Sequence, residues 1–144
     1  MKQVPIASIK AEIVRFWIAL KKLERIAGIS LDKFKRDSDL MDIAERNLQI
    51  VIGVIVDVGE YLISRVGWEK PRSHKGIALI LFKKNVIDDG AHKFLNRSIT
   101  LRDIIMHYAH LNPGVLHKYA KNYEILGNIM KNILKYMEDN NIDP

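Results

Sequence analysis

Apolar residues recur along this chain at three- and four-residue intervals, and those intervals define helices. Over residues 6–26 they fall at Ile6, Ile9, Ile13, Phe16 or Trp17, Leu20, Leu23 and Ile26, one face of one helix, which Gly28 ends. Residues 29–37 form a connector with a basic cluster of Lys33, Lys35 and Arg36. A second segment starts at Ser38, a helix N-cap by residue type, with Asp39 and Asp42 in the first turn, where carboxylates suit the helix dipole. It runs through Leu40, Ile43, Ala44, Leu48, Val51, Ile55, Val58 and Leu62 to about residue 66. Its middle, residues 50–58, is rich in β-branched side chains and taken alone reads as a buried strand. Length decides for helix, because no turn signal interrupts 38–66 and both flanks keep the helical period. A helix apolar on nearly every face, with Gly53 and Gly59 allowing close approach, belongs at the centre of a bundle or in a dimer interface.

Gly67, Pro71, Arg72 and Ser73 punctuate a loop, and a short helix over 76–84 follows. Asp88 and Asp89 cap a helix running to about residue 110, with Phe94, Leu95, Ile99, Leu101, Ile104 and Ile105 as its apolar positions. Asn112, Pro113 and Gly114 break it. The last helix spans about 115–137 through Leu116, Tyr119, Tyr123, Leu126, Met130, Ile133, Leu134 and Met137, and the polar tail after Glu138 is expected to fray. No internal repeat or low-complexity tract appears. Residues 1–144 therefore read as one all-α domain, an up-and-down bundle of four to five helices that dimerises through its long apolar helix.

Composition narrows the function. With 48% of its 144 residues hydrophobic, the chain is no disordered segment, and the absence of Cys excludes a disulfide scaffold, a thiolate nucleophile and a cysteine-held metal. The most apolar stretch, 48–58, is broken by Gln49 and Asp57 and falls short of the ~20 residues a membrane span needs. Lys10, Glu12 and Arg15 interrupt any signal-peptide core, so a cytoplasmic protein is expected. A net charge of +6 favours polyanionic partners, nucleic acid or an acidic protein, although a solubilising basic surface accounts for it equally well.

The clearest chemistry lies near the end of the fourth segment. At 100° per residue, Arg102, Asp103 and His107 sit at about 0°, 100° and 140°, on one side of the helix. Arg holds a phosphate with a planar fork of donors, His moves protons near neutral pH, and Asp can fix the imidazole tautomer. The spacing by itself is weak, and more often that of a polar helix face. His107, His110 and His117 form no HExxH pattern and have no carboxylate between them, so solvated or capping roles outweigh metal binding. Tyr119 and Tyr123 read as packing residues rather than base-stacking ones. Lys70, Arg72, Lys75, Lys83 and Lys84 could track an RNA backbone, or simply be solvated.

Several strings in this order resemble the HepT-like family of the HEPN superfamily. Ile29-Ser30-Leu31-Asp32-Lys33-Phe34 is similar to the family's connector after helix one, and Asp42-Ile43-Ala44-Glu45-Arg46-Asn47-Leu48, with Ile52, to the opening of its long second helix. Leu101-Arg102-Asp103-Ile104-Ile105-Met106-His107 resembles the superfamily signature of Arg, a polar residue, three apolar residues, His, one free position and Tyr. The resemblance spans roughly residues 8–137. It departs at the Tyr, where the chain has Ala109 and places Tyr108 one residue early. On a continuous helix position 109 lies about 20° from Arg102, and Tyr108 some 120° from it.

The resemblance implies a metal-independent endoribonuclease toxin without a cofactor, working as a homodimer on RNA and paired with a nucleotidyltransferase antitoxin. It makes Arg102 and His107 the catalytic pair, with Asp103 beside them. It implies that the antitoxin adenylylates the signature Tyr, for which Tyr108 is the available residue. Some members of the superfamily are non-catalytic, so a nucleotide-binding or scaffold subunit of a nucleotidyltransferase complex is the competing expectation.

Overall fold

Ser38–Val66 form the longest helix, 29 residues, and every other helix packs against it. A computed structural model describes residues 6–107 and 111–144, all of whose regular elements are helical. They are α1 (Ile6–Ala27), α2 (Leu31–Lys35), α3 (Ser38–Val66), α4 (His74–Lys83), α5 (Asp89–His107), α6 (Pro113–Lys121) and α7 (Tyr123–Asp139). By length and composition alone α3 could cross a membrane, but 67% of its apolar window is buried inside the protein, as a central helix requires.

Local chemistry sets the ends of α3. Asp37, not Ser38, is its N-cap: the Asp37 backbone is extended, and its carboxylate accepts from the amides of Asp39 at 3.0 Å and Leu40 at 3.4 Å. Gly67 closes it at φ 82°, a left-handed conformation that glycine adopts without a Cβ clash. The β-branched stretch 50–58 is largely covered by the protein's own helices, with Val51, Ile52, Ile55 and Val58 fully buried. What stays partly open on it is the line of Ile50, Gly53 and Asp57.

The bundle has more elements than the apolar period indicates. The connector contains α2, started by the Ser30 hydroxyl, which accepts from the Lys33 amide at 3.2 Å, and anchored by the buried Phe34. The single last helix is two, divided at Asn122, whose side-chain amide donates to the Lys118 carbonyl at 2.9 Å in competition with the helical ladder. The tail is docked rather than frayed. Tyr61 donates from its hydroxyl to the Asp143 carbonyl at 2.6 Å, and Ile142 packs on the core.

Candidate functional site

Arg102 leaves α5 one residue after Leu101, the last buried position of that helix, and lies across α3 at Gly53, one of the two positions where α3 has no side chain. A Cβ built on Gly53 would come within 3.3 Å of both Nε and Nη2 of Arg102. The Nε is buried and has no hydrogen-bond partner among the described residues, an expensive state for a guanidinium nitrogen. Around it opens a cleft of about 190 Å³. Positions 46, 50, 53 and 57 form one stripe along α3, and Arg46, Ile50, Gly53 and Asp57 all line the cleft, with Glu12 and Arg15 contributed by α1.

Three guanidinium groups and two carboxyl groups therefore share one small space, yet they do not neutralise each other by ion pairing. Ion pairs between described residues join Asp32 to Arg36, Asp89 to Lys93 and Asp139 to Lys135, on exposed helix turns elsewhere. In the cleft the Glu12 carboxyl is instead hydrogen-bonded to that of Asp57. Two carboxyl groups can bond only if one keeps a proton. Burial, then the hydrogen bond and charge of Asp57, push Glu12 up to about 8 from an ordinary 4.5, against the pull of Arg15. A carboxyl raised in the folded state binds its proton more tightly there than in the unfolded chain. Its contribution to stability is complete below about pH 4.5 and is lost as pH rises through about 8.

Of the residues singled out in the sequence, Arg102 reaches this cleft. Asp103 and His107 stay exposed on α5, with no hydrogen bond between them, and are not among the cleft's lining residues. Tyr108, Ala109 and His110 lie outside the described residues. Lys70, Arg72, Lys75, Lys83 and Lys84 are exposed around α4, away from the cleft lining, with the Lys84 ammonium 5.5 Å over the Trp68 ring. His117 is buried, and its Nε2 lies 2.6 Å from the Ile29 carbonyl, to which it donates. That is a packing role, and among the described residues no group of three or more His, Asp or Glu is placed to hold a metal. Tyr119 packs against Phe94, ring centres 5.6 Å apart.

Reading the sequence missed Glu12, Arg15, Arg46 and Asp57. The signal was present in Asp57, a lone carboxylate in an apolar helical run, eleven residues after Arg46 and so on the same stripe.

The two α3 glycines should respond oppositely to alanine. At Gly59 a Cβ would stand 2.8 Å from Ile77 Cγ2 and 3.2 Å from Leu81 Cδ1, both buried, so Gly59→Ala should lose about 1–3 kcal/mol in a urea melt. Gly53→Ala gains helix propensity of up to about 1 kcal/mol and has only the end of a long side chain to displace. It should melt no lower than the parent while shifting the Arg102 guanidinium.

The chain belongs to the HepT-like ribonuclease family, whose sequence profile matches residues 18–139. No curated protein matches it in sequence. Its fold is that of the Shewanella oneidensis HEPN toxin, solved tri-AMPylated in complex with MNT antitoxin, at TM-score 0.79 and 22% identity over 88% of this chain and 96% of that one. It is equally like that of YutE, a cytosolic Bacillus subtilis protein of unknown function, at TM-score 0.80 and 20% identity over 97% of this chain and 95% of that one.

Proposed function

We propose that this protein is a cytoplasmic, metal-independent endoribonuclease, the toxin of a pair whose antitoxin is a nucleotidyltransferase, and that it acts as a homodimer. The observation that carries the reading is Arg102: a guanidinium with a buried, unpartnered Nε, in an arginine-lined cleft, on a helix that ends with an exposed His107 five residues later. RNA brings its own nucleophile, the 2′-hydroxyl. The protein has to remove that proton and stabilise the charge that develops on the phosphate. His107, of the same or the second subunit, is the base, and Arg102 grips the scissile phosphate with paired donors. Asp103, one turn from His107, orients the imidazole. Lys70, Arg72, Lys75, Lys83 and Lys84 extend the basic surface along the strand.

The dimer reading rests on apolar side chains left uncovered beside the cleft. Val14 and Ile18 on α1 are 60% and 57% exposed, and Ile43 at 41% continues the α3 stripe of Arg46 and Ile50. A second copy would cover them. The antitoxin would bind the same basic face, which +6 favours for an acidic partner. The Shewanella toxin was solved AMPylated. Here Ala109 stands where the family signature has Tyr, so modification would have to use Tyr108, and a complex formed without it would neutralise by covering the cleft.

Purified protein incubated with RNA in EDTA should yield 2′,3′-cyclic phosphate and 5′-hydroxyl ends and leave DNA intact. Light scattering should give about twice the 16.6 kDa chain mass. RNA left whole would sink the ribonuclease reading in favour of a nucleotide-binding or scaffold subunit, and a monomer that cuts would sink the dimer alone.

A further inference from the structure

Cutting RNA by 2′-hydroxyl attack moves two protons: one leaves O2′, and one must reach O5′ as the P–O5′ bond breaks. The residues assigned so far account for the first. We propose that Glu12 is the general acid that protonates O5′. The proposal rests on the ribonuclease reading and gives that site its second proton mover.

The cleft provides a carboxylic acid in an unusual setting. Glu12 shares a hydrogen bond with Asp57 in the same space as Arg102. The charged groups facing it are Asp57 and Arg46 from α3, Arg15 from α1 and Arg102 from α5. A carboxyl among three guanidinium groups would ordinarily be ionised and paired. This one is pushed towards its protonated form, because burial and the Asp57 carboxylate outweigh Arg15. The guanidinium groups thus stay available for phosphate oxygens while a neutral acid waits beside them. An acid that titrates near neutrality both holds its proton and gives it up readily, the property wanted in a proton donor. Glu12 also precedes residues 18–139, so it lies outside the segment that the family profile matches.

In the step itself, His107 takes the O2′ proton and O2′ bonds to phosphorus. The P–O5′ bond breaks, and its electron pair takes the proton from the Glu12 carboxyl. The products are the 2′,3′-cyclic phosphate and a 5′-hydroxyl. Glu12 is left as the carboxylate and His107 as the imidazolium, and both reset by exchange with water. Asp57 touches no reacting atom; it is a positioning residue that keeps the proton on Glu12.

The test compares two RNA oligonucleotides identical except that one carries sulfur in place of the bridging O5′ at the cut. A thiolate leaves without protonation, since thiols ionise near pH 8.5. Glu12→Gln should slow cleavage of the oxygen substrate by about 10²-fold or more and leave the sulfur substrate close to the wild-type rate. Wild-type cleavage of the oxygen substrate should fall above about pH 8, and Glu12→Gln should lack that fall. Asp57→Asn removes the charge that holds the proton on Glu12, so it should move the fall to lower pH, which serves if Glu12→Gln does not fold. Equal slowing of both substrates by a folded Glu12→Gln, an unchanged rate on both, or an unmoved pH limb in Asp57→Asn would overturn the proposal. When wild type cuts, His107→Ala does not and Glu12→Gln matches wild type, this proposal alone fails. If wild type leaves RNA intact, the ribonuclease reading fails and this proposal with it.

Discussion

Replacing His107 or Arg102 by alanine should each lower RNA cleavage by about 10²–10⁴-fold, which is roughly 3–6 kcal/mol of transition-state stabilisation at about 1.4 kcal/mol per decade. Neither change should unfold the protein. His107 is exposed on the last turn of α5, outside the core, and an exposed substitution of this kind is usually worth within about 0.5 kcal/mol. Arg102 is partly buried but makes no hydrogen bond through its Nε, so its removal leaves no abandoned partner at that atom. Arg102→Lys separates charge from geometry. It keeps the cation and loses the planar fork, and it should recover only a small part of the lost rate. Each variant is measured by gel cleavage of a labelled RNA alongside a thermal melt. Wild-type cleavage by His107→Ala would assign the activity to a contaminant.

The fold was most legible where one physical term dominates. In α3 the apolar period runs unbroken for eight turns, so burial overrides the β-branched middle, and Gly67 supplies a stop that needs no tertiary information. Elements set by single hydrogen bonds were illegible. The break at Asn122 leaves the apolar period of 115–137 intact on both sides, and only the amide's bond to the Lys118 carbonyl marks it. The docked tail depends on Tyr61, 82 residues earlier, and no local pattern announces such a partner.

The site divides the same way. Arg102 lies on α5, where spacing gives direction, and the resemblance picked it out; His107 shares that helix but does not line the cleft. The cleft is assembled across α1, α3 and α5, and its acid pair comes from residues 45 positions apart, Glu12 and Asp57. In sequence Asp57 was visible only as a blemish in an apolar run. Its meaning depends on Glu12 being opposite, and that is a consequence of how α1 lies on α3.

The largest stability loss is expected far from that cleft, at Phe34. A five-residue helix such as α2 is marginal by itself, because one or two hydrogen bonds do not offset the ordering of its backbone. It persists because Phe34 is fully buried and packs 5.3 Å from the ring of His117 on α6. His117 in turn donates to the Ile29 carbonyl, which fixes the chain entering α2. Phe34→Ala empties this site and leaves a cavity that helices on several sides cannot close, a loss of about 3–5 kcal/mol. Against the 5–15 kcal/mol typical of a domain, that is about a fifth or more of the total. The urea midpoint should fall accordingly while the slope stays constant, since the surface exposed on unfolding barely changes. No residue of α2 lines the cleft, so the fraction still folded should cut RNA at the parent rate. A loss below about 1 kcal/mol would show instead that α2 and His117 are held by the rest of the bundle and that Phe34 only fills space.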